Sequence, residues 1–203
     1  MTSAATGGTQ AEQIEGIRNN ASLLYRTKNT EAIKGPNDAI IILEAMGDIR
    51  KATAFNWGRF LYFAVIPENG TPADMTFLNT VAARITNMLL MGFTLSPSLT
   101  TYVTISELTL DLFMYNEFDA TDTEQLVRDY LDFITDPLQG AGYGVGLDIG
   151  KLSQEIKETV PGTSNLIVSS VNSAAPANIN LTALQIFNKI NQGVVTINIT
   201  KVS

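Results

Sequence analysis

An α+β fold, with helices packed on a mostly antiparallel sheet, is what this sequence predicts. In some stretches apolar residues recur at intervals of three and four, the spacing of one helical face; in others they alternate with polar residues, as in a half-buried strand. The two kinds of stretch are interleaved along a chain of 203 residues, 45% of them hydrophobic, which is enough to bury a substantial core.

The first expected element is a helix over residues 11–25, where Ile14, Ile17, Ala21 and Leu24 share a face. A polar stretch follows from Thr27 to Lys34. Pro36-Asn37-Asp38 then offers start signals for a second helix carrying Ile40, Leu43 and Met46, stopped by Gly47. Two β-favouring runs, Ile49 to Phe55 and Phe60 to Ile66, flank Asn56-Trp57-Gly58 and predict two strands joined by a turn, the second ended by Pro67. Thr71, Pro72 and Asp74 read as an N-cap, a proline at the first helical position and an early acid, ahead of a stripe of Met75, Leu78, Ala82, Ile85 and Leu89 closed by Gly92. After Pro97, Tyr102 to Tyr115 alternates like one long strand with a change of phase: Val103 and Ile105 are odd, Leu108 to Met114 even. A bulge near Ser106-Glu107 would reconcile the halves.

The next helix opens on a capping box of Thr121 and Glu124 and buries Leu126, Val127, Tyr130, Leu131 and Ile134. Pro137 and Gly140 end it. A Gly-rich loop runs to Gly146, and a further helix carries Ile149, Leu152, Ile156 and Val160 before Pro161-Gly162. Asn165 to Val171 reads as a strand, Ser173 to Asn180 as a polar loop, and Val195, Ile197 and Ile199 as the inward residues of a final strand. No internal repeat of convincing period is present. The expected organisation is a helical lead-in over 1–48, a strand-and-helix lobe over 49–100 and a second over 101–203.

Composition closes off much chemistry. With no Cys and no His, the chain lacks the side chains on which most transition-metal and nucleophile-plus-base sites depend, so no metal and no cofactor is expected. Its net charge of −7 gives no electrostatic reason to approach nucleic acid or an anionic membrane. No apolar run reaches the roughly 20 residues of a spanning helix, and Met1 to Gln10 has no apolar signal-peptide core; a soluble protein made in the cytosol is expected.

Several groupings invite a catalytic or binding reading. In Gly140-Ala141-Gly142-Tyr143-Gly144-Val145-Gly146 no glycine has partners at offsets two and five, and the loop follows a helix where a dinucleotide fingerprint needs a strand. Gly150-Lys151 lacks the upstream glycine and following Ser/Thr of a P-loop. Both read as connectors. Glu107 with Asp111, or Asp129 with Asp132, could form an acid and base pair across a sugar, but Asp129 and Asp132 lie opposite the apolar stripe of their helix and Glu107 at the expected bulge. Asp119, Asp122 and Glu124 suit a helix start better than a calcium loop, whose closing glutamate is missing. Trp57, the only tryptophan, is either half-buried at its turn or, beside Arg59, an interface anchor; Arg26 is either a helix C-terminal cation or a partner in a subunit contact.

Taken in order, several stretches resemble the baseplate J-like wedge proteins of contractile phage tails. Thr6-Gly7-Gly8-Thr9-Gln10-Ala11-Glu12, then Ile17-Arg18-Asn19-Asn20-Ala21, then Leu24-Tyr25-Arg26-Thr27-Lys28-Asn29 is similar to that family's Gly-Gly…Glu, Arg-x-x-Ala and Arg-Thr-Gln segment. Phe60 to Pro67 resembles its apolar strand ending in Pro, and Gly92 to Val103 its Gly…Pro…Tyr-Val stretch. Tyr130 to Gly140, Gly144, Leu147 to Ser153 and Val160-Pro161-Gly162 resemble its helix, Gly-rich loop, second helix and Pro-Gly turn. Glu31 to Asn37 departs from the family's Arg-Ala-Val-Thr-x-x-Asp run. Family members also carry a further N-terminal portion, so the likeness is to their C-terminal half.

The resemblance implies a non-enzymatic structural subunit in a baseplate wedge. It would sit in the virion tail after assembly in the host cytoplasm, pair with another copy of itself, and contact other wedge and hub proteins. Arg18, Tyr25, Arg26, Trp57 and Arg59 are the candidate contact residues. Under the same resemblance its work is mechanical: contacts hold one arrangement until host binding favours another and the sheath contracts. A wedge component of a non-phage contractile injection system fits equally well. A carboxylate-dependent hydrolase and a small-ligand binding module are the alternatives of a different class.

Overall fold

The computed structural model describes residues 33–90 and 92–202. The helix expected over 11–25 lies outside them, and with it Arg18, Tyr25 and Arg26. The described elements are α1 (Pro36–Glu44), β1 (Ile49–Trp57), β2 (Phe60–Pro67), α2 (Met75–Ile85), β3 (Thr94–Pro97), β4 (Thr101–Val103), β5 (Leu108–Tyr115), α3 (Ala120–Thr135), α4 (Ile149–Thr159), β6 (Thr163–Val171), β7 (Gln185–Phe187) and β8 (Val195–Val202). The fold is α+β. Among the described residues the strands form three sheets, ordered β1-β2-β3, β4-β7 and β6-β5-β8.

Those sheets are mixed, which corrects the mostly antiparallel expectation. β1 with β2 and β5 with β6 are antiparallel, whereas β2 with β3, β4 with β7 and β5 with β8 are parallel. Local sequence shows hairpins but not the return of a distant strand, so β3 and β7, at four and three residues, left no periodic trace.

A second correction concerns Tyr102 to Tyr115. The chain leaves one sheet after Val103 and enters another at Leu108, so the change of phase marks a crossing between sheets and not a bulge within one strand. A tight turn braces the crossing: Asn172 and Ser173 both adopt left-handed backbone at φ 52° and 60°. The Asn172 carboxamide accepts from the Ser106 amide at 2.8 Å, and the Asn172 amide donates to the Glu107 carbonyl at 2.8 Å.

Helix starts were displaced by acids lying closer to the first turn. Asp74 caps α2, accepting from the Phe77 amide at 2.7 Å, while Thr71 is tied instead to Asn69. Asp119, not Thr121, caps α3, because its carboxylate accepts from the amides of both Thr121 and Asp122 at 2.8 and 3.2 Å. These bonds satisfy amides that have no partner within the helix. Asp74→Ala is expected to lower stability by about 1 kcal/mol, read as a lower urea midpoint at unchanged slope. The stripe expected to run to Leu89 stops as helix at Ile85. A 3-10 turn over Thr86–Met88 then turns the chain out so that Leu89 can bridge Ile33.

Two cores result. Leu61, Phe63 and Val65 of β2 meet Ala39 and Leu43 of α1 and Leu78, Val81 and Ile85 of α2 in one. The other is formed by Leu108, Leu110 and Leu112 of β5, Val127 and Leu131 of α3, Leu152 and Ile156 of α4, and Leu166 and Val168 of β6. Ile66, on β2, belongs to the second core. This follows from strand alternation: Ala64 and Ile66 point away from α1 and α2, toward the C-terminal part of the chain. Lys51 lies opposite Ile66 and its ammonium bonds to the Gln139 and Ala141 carbonyls; Arg50 reaches the Leu138 carbonyl at 3.2 Å, and Thr100 the Val65 carbonyl at 3.3 Å. The base of the β1–β2 hairpin is thus covered on both faces.

Candidate functional site

Toward its tip the hairpin loses that second cover. Antiparallel register places Phe55 opposite Tyr62 and Trp57 opposite Phe60. Directly opposed residues share a face, and these lie on the face that Ile66 occupies at the base. Phe55 and Tyr62 stack with centroids 5.1 Å apart and planes 9° apart, and Phe60 tilts against Tyr62 at 6.3 Å. Trp57 is 75% exposed. The sequence left it either half-buried or exposed; it is exposed, and among the described residues the C-terminal part of the chain bonds to the hairpin only near its base. Gly58 turns the chain at φ 58°, and Arg59 extends beside it with its guanidinium 5.6 Å from the Phe60 ring centroid. Among the described residues, no carboxylate lies within 4 Å of Arg59. The result is a ladder of four aromatic rings ending in a cation, an exposed surface of the composition that favours contacts.

Of these residues the sequence singled out Trp57 and Arg59 and overlooked Phe55, Phe60 and Tyr62. The signal was available: aromatics at two-residue spacing on either side of a two-residue turn must meet across the ladder.

The carboxylates considered as catalytic pairs are engaged otherwise. On the central strand β5, Asp111 accepts from the hydroxyl of Ser169 and from the carboxamide of Asn198, at 2.8 Å for the latter. The Ser169 bond foremost, then that from Asn198, holds its carboxyl below the usual range. Glu107 accepts from the Ser170 and Ser173 hydroxyls beside the tight turn. Asp129 accepts from the Gln125 carboxamide at 2.8 Å, and Asp132 lies 3.3 Å from the Lys189 ammonium. Glu124 pairs with Arg128 at 2.7 Å, and that guanidinium also reaches the Gln192 and Val195 carbonyls, tying α3 to the start of β8.

A groove of about 250 Å³ lies between α3 and α4, lined by Tyr130, Phe133, Val145, Lys151, Leu152 and Glu155 among others. None of the carboxylates weighed as catalytic pairs lines it. Its polar edge is Tyr130, whose hydroxyl donates to Glu155 at 2.6 Å, with Lys151 3.3 Å from the same carboxylate. The Tyr130 bond foremost keeps Glu155 below the usual carboxylate range, and burial pushes the Tyr130 hydroxyl up. Both shifts lead away from neutrality, whereas a general acid or base works best with its pKa near the operating pH.

The Gly-rich loop is a packing device. A Cβ on Gly140 would lie 2.5 Å from the Phe133 carbonyl oxygen, and one on Gly146 would lie 2.0 Å from that of Ile179. Tyr143, within the loop, hydrogen-bonds the Thr100 hydroxyl at 2.6 Å.

Burial holds the Tyr143 hydroxyl well above its ordinary pKa, and burial likewise raises Tyr102. A group raised on folding gives its full stability below the unfolded value, about pH 10, and loses it as pH climbs toward the folded one. Between those two values the unfolded chain has shed the proton that the folded chain retains, so stability falls by up to about 1.4 kcal/mol per pH unit for each such group. Urea unfolding between pH 9 and 11 is expected to show this decline, and Tyr143→Phe to make it shallower.

Among the described residues no helix is long and apolar enough to cross a membrane. No family model and no curated protein matches the sequence. Among solved structures, the fold is similar to a chain in the cryo-EM structure of the anti-feeding prophage (AFP) baseplate, 6-fold symmetrised, with a TM-score of 0.55 and 12% sequence identity. The match covers 95% of this chain and 43% of that one, so the chain spans less than half the length of its structural neighbour. At that identity the likeness is one of fold.

Proposed function

We propose that this chain is a structural subunit of the baseplate of a contractile injection machine, in the wedge that surrounds the hub. The observation that carries the reading is the fold likeness over 95% of the chain to part of an AFP baseplate protein. The resemblance of ordered sequence blocks to baseplate J-like wedge proteins supports the same reading, since it lies in residue type and order and not in the fold.

In this reading the protein works by holding neighbours. It assembles with another copy of itself and with other wedge and hub proteins, and a change in those contacts accompanies sheath contraction. Its aromatic hairpin tip, its multiply bonded carboxylates and its acid and hydroxyl shifted away from neutrality fit a contact role better than a reaction.

Fractionation of a producing-cell lysate on a density gradient, with mass spectrometry for this chain and for sheath and tube proteins, tests the reading. Co-sedimentation with tail-sized particles is expected. Recovery only in the free soluble fraction would sink it.

A further inference from the structure

Among the described residues, every strand edge but one carries a device that discourages further pairing. The Ala52 amide on the outer edge of β1 donates to the Glu44 carboxylate at 3.1 Å. β3 has four residues and ends in Pro97, and β4 and β7 have three residues each. β6 slips twice against β5, once between Thr109 and Leu110 and again between Phe113 and Met114. Edge charges, prolines, short strands and bulges are the common protections of a sheet edge. β8 lacks them: Val195–Val202 runs beside β5 in unbroken register over 8 residues, with no proline and no acid. Its one charge, Lys201, turns its ammonium to the Phe118 carbonyl at 3.3 Å.

The direction of the free groups on β8 follows from β5. The Glu107 carbonyl and the Tyr115 amide bond on the β6 side, with the Asn172 amide and the Gly162 carbonyl. Odd-numbered residues of β5 therefore face β6, and even-numbered ones face β8. In the parallel pair, that register assigns Thr196, Asn198 and Thr200 to β5 and leaves the amides and carbonyls of Ile197, Ile199 and Lys201 pointing outward. The Val195 carbonyl, of the same parity, reaches the Arg128 guanidinium at 3.2 Å. Side chains tell the same story. Leu110 and Leu112 of β5 are fully buried, but Ile197 and Ile199 beside them are only half-buried, so the apolar rows stop one strand short.

This edge is complementary to itself. In an antiparallel second copy with the two Asn198 residues opposed, Ile197 meets Ile199 and Thr196 meets Thr200. Apolar residues then match on the covered face and hydroxyls on the open one, while Ile197 and Ile199 exchange backbone bonds across the axis. Charge favours the same arrangement. A parallel copy would set Lys201 beside Lys201, whereas the antiparallel one holds the two cations about 20 Å apart along the strands.

We propose that β8 pairs antiparallel with β8 of a second copy across a two-fold axis at Asn198, joining the sheets β6-β5-β8 of two chains into one. The inference deepens the baseplate reading and rests on it for the expectation that two copies meet; it names the surface where they do.

Sedimentation velocity of the purified chain is expected to show a concentration-dependent dimer. Thr196→Glu with Thr200→Glu, which sets carboxylates opposite one another, should weaken that dimer about tenfold, and Thr196→Glu with Thr200→Lys should restore it. Both positions are exposed, and far-UV circular dichroism checks that each variant folds. The chain has no cysteine, so Asn198→Cys under mild oxidation should give a disulfide-linked dimer, and Asn165→Cys, on β6 of the same sheet, should not. A monomer at every concentration would overturn the proposal. A dimer indifferent to both charge patterns would overturn it too, by placing the second copy elsewhere. A chain that stays monomeric yet co-sediments with tail-sized particles would sink the pairing and leave the baseplate reading standing. The charge-sensitive dimer, recovered only in the free soluble fraction, would do the reverse.

Discussion

Gly146→Ala is expected to destabilise the protein by about 3 kcal/mol or more, at the upper end of what forced overpacking costs. The added methyl carbon would lie 2.0 Å from the Ile179 carbonyl oxygen. That oxygen is fixed because it accepts from the Leu147 amide at 2.9 Å, while the Ile179 amide donates to the Leu147 carbonyl at 3.0 Å. A flexible side chain could swing aside, but a paired backbone cannot without losing both bonds. Leu147 is 6% exposed within the second core, so the loss would reach α4, which starts two residues later. The check is a lowered urea midpoint together with hydrogen exchange, where the amides of Leu147 and Ile179 should lose protection first. Gly142→Ala serves as the contrast, since its nearest neighbour is a Val145 methyl group at 3.0 Å that can rotate away.

The second large effect is expected at Ile66, where alanine should cost about 3 kcal/mol, within the range for truncating a fully buried aliphatic side chain. What matters is which part of the molecule feels it. Ile66 stands on the hairpin of the first sheet but is 0% exposed within the second core. Around it the two parts are joined by the Lys51 and Arg50 bonds to carbonyls 138, 139 and 141, and by Gly70, where any Cβ would meet Leu138. Such a seam is expected to make the two cores unfold as one cooperative unit. Denaturation of Ile66→Ala followed by Trp57 fluorescence and by far-UV circular dichroism should give coincident, equally shifted transitions. Separate transitions, with the fluorescence change left in place, would show that the cores unfold independently.

The seam also shows where sequence reading met its limit. Lys51 presents itself as an ordinary surface lysine of a strand. Only the folded chain brings carbonyls ninety residues away to its ammonium, where burial, and to a lesser degree Arg50, lowers its pKa. The Tyr130 to Glu155 bond and the Asp111 to Ser169 bond are of the same kind: each joins residues on separate elements with no pattern linking them along the chain. The aromatic ladder is a middle case, half read from Trp57 and Arg59 and completed by the hairpin register.

The sequence by itself determined the α+β class and the elements whose signals are local: α1 after its proline, the β1–β2 hairpin about its glycine turn, the amphipathic α3 and α4, and the alternation in β5, β6 and β8. Periodicity and turn chemistry act over three or four residues, so they can be read in one dimension. Tertiary structure decided the rest. Among the described residues it made three of the five strand pairings parallel, split Tyr102 to Tyr115 between two sheets, and moved the caps to Asp74 and Asp119. It also gave Ile66 to the second core and left Trp57 without a described cover. Each of these turns on which surfaces distant along the chain bury one another, and that is settled by packing and hydrogen-bond satisfaction over the whole molecule.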